Sequence, residues 1–225
     1  MRTDAREIGL SMTGDNVAKT IGLIKTNTCR VMAPQPPAGT ERIARVELMP
    51  PRRNGDTYEW KAMPSFTTMR CRYGRPGDRL YVKQEYHHGL CPGDPDGAVA
   101  MFADAQTTVV KPGSREDARE LTRSWTKRSS RFMPRWASRV LLEVVTISGK
   151  RLHDVTEDEA RAEGVEPAVM IHASQDAAAV VEHLYLPAFA ILWDSINSKR
   201  PGCSWKANPF IWSIRYKLLE VRGQR

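Results

Sequence analysis

The 225 residues carry 34 Lys and Arg against 26 Asp and Glu, a formal net charge of +8, which favours a polyanionic or phosphorylated partner without requiring one. With 41% hydrophobic and 27% charged residues, the composition argues against wholesale disorder. Cys29, Cys71, Cys91 and Cys203 are far apart and form no Cys-x-x-Cys pair, which points away from a zinc ribbon or a disulfide scaffold and towards reduced thiols.

The length suits one domain with its own core, expected to span 1–225 with an insertion. Residues Met1 to Glu7 lack the apolar core of a signal peptide, and no apolar run approaches the roughly 20 residues that cross a bilayer. A soluble, cytoplasmic protein with no membrane partner is expected.

In chain order, Asp15 gives a helix-start signal, apolar Val17, Ala18 and Ile21 follow, and Gly22 can close the helix. Directly after it, Lys25-Thr26-Asn27-Thr28-Cys29-Arg30-Val31 crowds a lysine, hydroxyls and an arginine into a helix-to-strand junction. Two readings compete. Held among apolar walls, a lysine beside a hydroxyl can act as a base; in water, Lys25 is a solvated charge and Thr28 a turn residue. Pro34, Pro36 and Pro37 then stop the apolar run begun at Val31. The alternating segments Ile43 to Leu48 and Thr57 to Ala62 predict two strands joined by a turn at Asn54-Gly55.

Gly74, Pro76 and Gly77 predict a turn that delivers a strand through Leu80 and Val82, ending near Glu85. Residues 89–130 are the least regular part and are expected to be a loop-rich insertion, a surface loop or flap holding a short hairpin within Ala98 to Val110. The β-branched run Val140 to Ile147 predicts a central strand. Thr156-Glu157-Asp158-Glu159 has the form of a capping box, so a short helix should begin there, carry Glu163 in its last turn and end at Gly164. A longer helix is expected from Ser174 or Asp176 through Leu192, kinked or split at Pro187. The alternation after Pro209 gives a final strand.

Other side chains invite a function beside a plainer role. Glu85 sits at a strand end, facing either a cavity or solvent. Arg135 and Trp136 are suited to hold a phosphate and stack on a base, or to be a surface arginine and a core aromatic. His87, His88 and Cys91 have no nearby fourth ligand, so no metal and no cofactor are expected.

Four blocks carry a family likeness: Lys25-Thr26-x-Thr28-x-Arg30, Gly77-Asp78-Arg79-Leu80-Tyr81-Val82, Val140 through Gly164, and Asn208 to Lys217. On these blocks the chain resembles the ASCH domain family. The resemblance implies an α+β fold built on a PUA-like mixed β-barrel with a few flanking helices. The chain is also similar to longer ASCH proteins of phage and metagenomic origin in its Met133-Pro134-Arg135-Trp136-Ala137-Ser138-Arg139 and Leu192-Trp193-Asp194-Ser195-Ile196-Asn197 segments.

Within the family it resembles the small bacterial amidohydrolases that remove the acetyl group from N4-acetylcytidine. Their lysine, threonine and glutamate fall on Lys25, Thr28 and Glu163, and the resemblance implies catalytic roles for these three. Arg30, Glu85, Arg135 and Trp136 are then candidates for binding substrate. Two departures stand out. Gly22 lies one position further from the lysine than in those enzymes, and they have no counterpart of residues 34–66 and 89–130.

Hydrolysing an N4-acyl cytosine needs a nucleophile, stabilisation of the acyl oxygen and a proton for the departing ring amine. Lys25 can deprotonate Thr28 or a water, and Glu163 can pass the proton to the leaving nitrogen. An acyl-threonine and direct attack by water both remain open. The expected partner is a small acylated nucleoside. Alternatives are a PUA-like module that binds RNA, DNA or a modified base, and, further off, a ribonuclease. The oligomeric state is not specified by the sequence.

Overall fold

A computed structural model describes residues 5–49, 56–94, 96–103, 108–172 and 180–223. In chain order the first elements are β1 (Glu7–Ser11), α1 (Gly14–Ile21), β2 (Asn27–Val31), β3 (Arg42–Glu47), β4 (Tyr58–Met63), β5 (Thr67–Met69), β6 (Arg79–Lys83), β7 (Tyr86–Leu90) and β8 (Ala98–Met101). They are followed by β9 (Thr108–Val110), α2 (Ala118–Leu121), β10 (Trp125–Arg128), β11 (Val140–Arg151), α3 (Glu157–Ala162), β12 (Ala168–His172), β13 (Val180–Leu184), α4 (Tyr185–Asn197) and β14 (Phe210–Val221). This is an α+β protein of several sheets and few helices, and among the described residues the sheets are open.

The chain divides into two compact units. Of the described residues, 24–49, 56–72, 145–172 and 180–215 belong to the first; the second takes 5–23, 216–223 and the described part of 73–144. The long strands β11 and β14 contribute a stretch to each.

In the first unit β14 pairs antiparallel with β2, Ile214 opposite Thr28 and Trp212 opposite Arg30. Successive strand side chains point to opposite faces. Cys29, Val31 and Ile211 therefore share one face, and Thr28, Arg30, Trp212 and Ile214 the other. The first face is covered by helices: Cys29 and Ile211 pack with Leu152, Val155, Ala160, Phe189 and Trp193. β3, β4 and β5 form a separate antiparallel sheet. Its Trp60 meets Trp212 at a ring-centroid distance of 5.6 Å and an interplanar angle of 63°.

Both helices of this unit start where local chemistry directs. Thr156 accepts from the Glu159 N–H at 3.2 Å while the Glu159 carboxylate accepts from the Thr156 N–H at 3.1 Å, so the predicted capping box is present. Gly164 adopts φ +75° just beyond the helix, a conformation glycine takes without steric cost. α4 has no cap of its own; the Glu157 carboxylate receives the N–H groups of Tyr185 (2.9 Å) and Leu186 (3.2 Å), a negative charge at the positive end of the helix.

The longer helix expected from Ser174 or Asp176 through Leu192 is corrected here. Its proposed start lies outside the described residues, and Val180–Leu184 is a strand paired with β12. Val180 and Val181 are β-branched and favour a pleated surface, which the helical spacing of the apolar residues obscured. Pro187 consequently kinks nothing. It occupies the first turn of α4, where the missing N–H has no intrahelical partner to lose. The Asn54-Gly55 turn also lies outside the described residues.

In the second unit the strand order is β1-β6-β11-β14, with β1 parallel to β6. Asp78, 3% exposed, ties its turn: its carboxylate accepts from the N–H groups of Arg6 and Arg75, both at 3.0 Å, and pairs with the Arg6 guanidinium at 3.3 Å. The stretch expected to be a loop-rich insertion is more regular than its charge suggested. β10, β7, β8 and β9 form a four-stranded sheet, β8 and β9 supplying the predicted hairpin. Its two faces are buried separately, one around Tyr86, Ala100, Phe102 and Met133, the other around Cys91, Val99 and Ala118. Short strands of a few residues with polar outer positions leave too little periodicity to be read from sequence.

Candidate functional site

The first unit brings together two of the residues singled out from the sequence. Lys25 precedes β2 and Glu163 caps the C-terminal end of α3, 138 positions away. The Lys25 ammonium donates to the Glu163 carboxylate through Oε2 and to the Glu163 backbone carbonyl at 2.8 Å. Both residues are buried, Lys25 3% and Glu163 6% exposed. Glu163 Oε1 accepts from the backbone N–H of Cys29, and the Thr26 N–H donates to the Ala162 carbonyl at 2.9 Å. The end of α3 is thereby stitched along β2.

The strand register explains why this N–H is free to meet a side chain. Among the described residues β2 is the last strand of its sheet, and its even-numbered residues exchange hydrogen bonds with β14, as the Met32 N–H does with the Phe210 carbonyl at 3.0 Å. The amide of Cys29 therefore points away from β14. Glu163 supplies the acceptor that a further strand would have given.

Thr28, 3% exposed, is the next residue of β2 towards Lys25. Its side chain lies on the face opposite the Cys29 thiol, sharing it with Arg30, Trp212 and Ile214. Arg30 is half-buried and directly opposite Trp212. Burial first, then the negative charge of Glu163, pushes the Cys29 thiol well up, so this cysteine is a packed thiol and not a thiolate nucleophile.

A second polar group lies in the same unit and was not singled out from the sequence. The Lys150 ammonium donates to both oxygens of Glu159, at 2.7 and 2.8 Å. The Ser213 hydroxyl lies 3.2 Å from both Glu159 Oε1 and the Asn27 amide oxygen. Burial raises the Glu159 carboxyl, but the hydrogen bonds from Lys150, the Thr156 N–H and Ser213 outweigh it, and the net effect holds the group below the ordinary glutamate range. The capping box made Glu159 legible as a helix residue; nothing in a single sequence marks Ser213 or Asn27 as its neighbours.

The remaining candidates lie in the second unit, each with a partner there. Glu85 is exposed and pairs with Lys127 at 2.8 Å. Arg135 grips Glu7 with two prongs, one of them NH2 to Oε1 at 3.0 Å, and this hydrogen bonding, against a smaller effect of burial, lowers the Glu7 carboxyl. Trp136 packs on the Tyr86 and Phe102 cluster, 6.2 Å from the His88 ring. His87 and His88 are consecutive on β7, so their rings leave opposite faces of the strand.

Among the described residues no helix is long and apolar enough to cross a membrane, and no group of three or more His, Cys, Asp or Glu side chains is placed to hold a metal ion. No protein-family model, no curated protein and no solved structure matches this chain.

Proposed function

We propose that this chain is an amidohydrolase that removes acyl groups from N4-acylated cytidine or cytosine, on an ASCH-type, PUA-like scaffold. The observation that carries the reading is the buried contact between Lys25 and Glu163, with the buried hydroxyl residue Thr28 on the adjoining strand. Two side chains far apart in sequence meet out of water, at the positions that the family likeness assigns to catalysis.

The chemistry follows from the donor set. A proton moves along the line between Lys25 Nζ and Glu163 Oε2. With that proton on the carboxylate, the free amine accepts one from the Thr28 hydroxyl or from a water, and the oxygen so released attacks the acyl carbon. The tetrahedral intermediate collapses by breaking the bond to the exocyclic nitrogen, which takes a proton from the Lys25–Glu163 pair. Delocalisation of the amine's lone pair into the cytosine ring eases its departure. Water ends as the hydroxyl of the released carboxylic acid, either directly or by cleaving an acyl-threonine.

The test is incubation of the purified chain with N4-acetylcytidine and chromatographic detection of cytidine. Lys25→Met, Thr28→Val and Glu163→Gln preserve side-chain volume, and each is expected to abolish turnover. Undiminished turnover in Lys25→Met rejects the site. The net charge of +8 favours one second reading, a module that binds a modified base in nucleic acid. Tight, salt-sensitive binding of an oligonucleotide without turnover of any acylated cytidine would support it.

A further inference from the structure

In the first unit a cavity of about 450 Å³ is lined by Pro34, Gln35, Thr67, Met69, Arg70 and Trp212, among others. That volume lies within the range of small-molecule sites. It is built from the segments 33–37 and 67–70 closing over the indole of Trp212. Trp212 stands opposite Arg30, and the neighbouring pair on the same strand face is Ile214 with Thr28. Two residues along a strand is about 7 Å. The floor of the cavity thus shares the strand face of the proposed nucleophile, Trp212 standing one side-chain step along it from the Ile214–Thr28 pair.

Its polar walls are largely committed. The Gln35 amide donates to the carbonyls of Met32 (2.8 Å) and Phe210 (2.9 Å) and accepts from the Phe210 N–H (2.9 Å). Thr68 accepts from Lys61 at 2.6 Å, and the Thr67 hydroxyl is engaged with Ser65 at 3.0 Å. What is left to a ligand is the exposed alanine and proline surface of Ala33, Pro34 and Pro37 with the exposed Arg70, over a floor closed by Trp212 and Met69, 2% and 7% exposed. Reading the edge of a nucleobase takes hydrogen-bonding groups available to it. This cavity offers shape and apolar area instead.

We infer that the cavity holds the acyl portion of the substrate and selects flat, apolar acyl groups, aryl above all, over acetyl. The inference rests on the deacylase reading for the identity of the group, while the affinity of the cavity for an aryl amide is testable by itself. β5 supplies the handle. Thr67 and Met69 share a face of that strand, and Met69 pairs directly with Trp60, which contacts Trp212. Thr67 is exposed, so Thr67→Phe fills the space from its rim, and Met69→Ala widens it.

The experiment has two arms on the full chain: calorimetric titration with benzamide, and kcat/KM for N4-benzoylcytidine against N4-acetylcytidine. The wild-type chain is expected to bind benzamide and to prefer benzoyl by about tenfold or more, the scale on which an apolar pocket discriminates. Thr67→Phe should lose benzamide binding and lower the benzoyl-to-acetyl ratio about tenfold; Met69→Ala should move the preference towards the larger naphthoyl group. Wild-type chain that cleaves acetyl as well as benzoyl, or ratios unmoved in both variants, overturns the inference and leaves the deacylase reading standing. No turnover of any acylcytidine, with benzamide binding that Thr67→Phe removes, keeps the aryl site and fells the deacylase reading. Absence of both turnover and benzamide binding fells the two together.

Discussion

Replacing Glu163 with alanine tests the geometry of the site without reference to any substrate. The change leaves the Lys25 ammonium, 3% exposed, without its carboxylate, and breaking a buried ion pair from one side costs about 3–5 kcal/mol. It also leaves the Cys29 N–H without the acceptor it has in Glu163 Oε1, a further cost of about 1–3 kcal/mol. The two losses share one side chain and do not add fully, so a total of about 5 kcal/mol is expected. With a urea dependence of about 2–3 kcal/mol per molar, the unfolding midpoint should fall by about 2 M. Glu163→Gln should cost less, since its amide oxygen still serves Cys29. Combining it with Lys25→Met removes the stranded charge and should recover part of the loss. Amide hydrogen exchange reports the same event locally, with faster exchange at Cys29 in the alanine variant. A midpoint shift below about 0.4 M for Glu163→Ala, about 1 kcal/mol on that slope, or a double variant no more stable than Glu163→Gln alone, would refute the reasoning.

Two further outcomes follow from the first unit. A Cβ on Gly149 would lie 2.7 Å from Ile43 Cγ2 and 2.8 Å from Met32 Cε, so Gly149→Ala should destabilise the fold by about 1–3 kcal/mol through overpacking, read as a lowered urea midpoint. Glu159 is held below the ordinary glutamate value. Its contribution is therefore complete above that value, about 4.3, and is lost as the pH falls through the lower folded value. Urea unfolding across that range should show a shallower acid loss in Lys150→Met than in the wild-type chain; identical slopes would count against the Lys150–Glu159 pair as its source.

Much of this frame was open to reading because local chemistry and tertiary structure agree. The capping box at Thr156 places α3, and the alternation after Pro209 places β14, whose own face pattern then assigns Trp212 and Ile214 to one side. Where they disagree, the sequence misleads. Val180, Val181 and Leu184 fit a helical stripe and a strand alike, and the strand prevails where Val180–Leu184 pairs with β12. Lys25 and Glu163 were readable as chemical types through a family likeness, but their contact depends on the C-terminal end of α3 running along the last strand of a sheet. Trp212, the floor of the cavity, looks in sequence like any core aromatic. Its position beneath the segments 33–37 and 67–70 is fixed only by long-range packing.

The terminal strand β2 also has a consequence for how the molecule behaves in company. An open row of amides and carbonyls is a template on which another chain can add itself, the route by which folded proteins become fibres. Here the helix end occupies the middle of that row, with the Glu163 carboxylate on the Cys29 amide. Removing the Glu163 carboxylate would return that amide to the open edge.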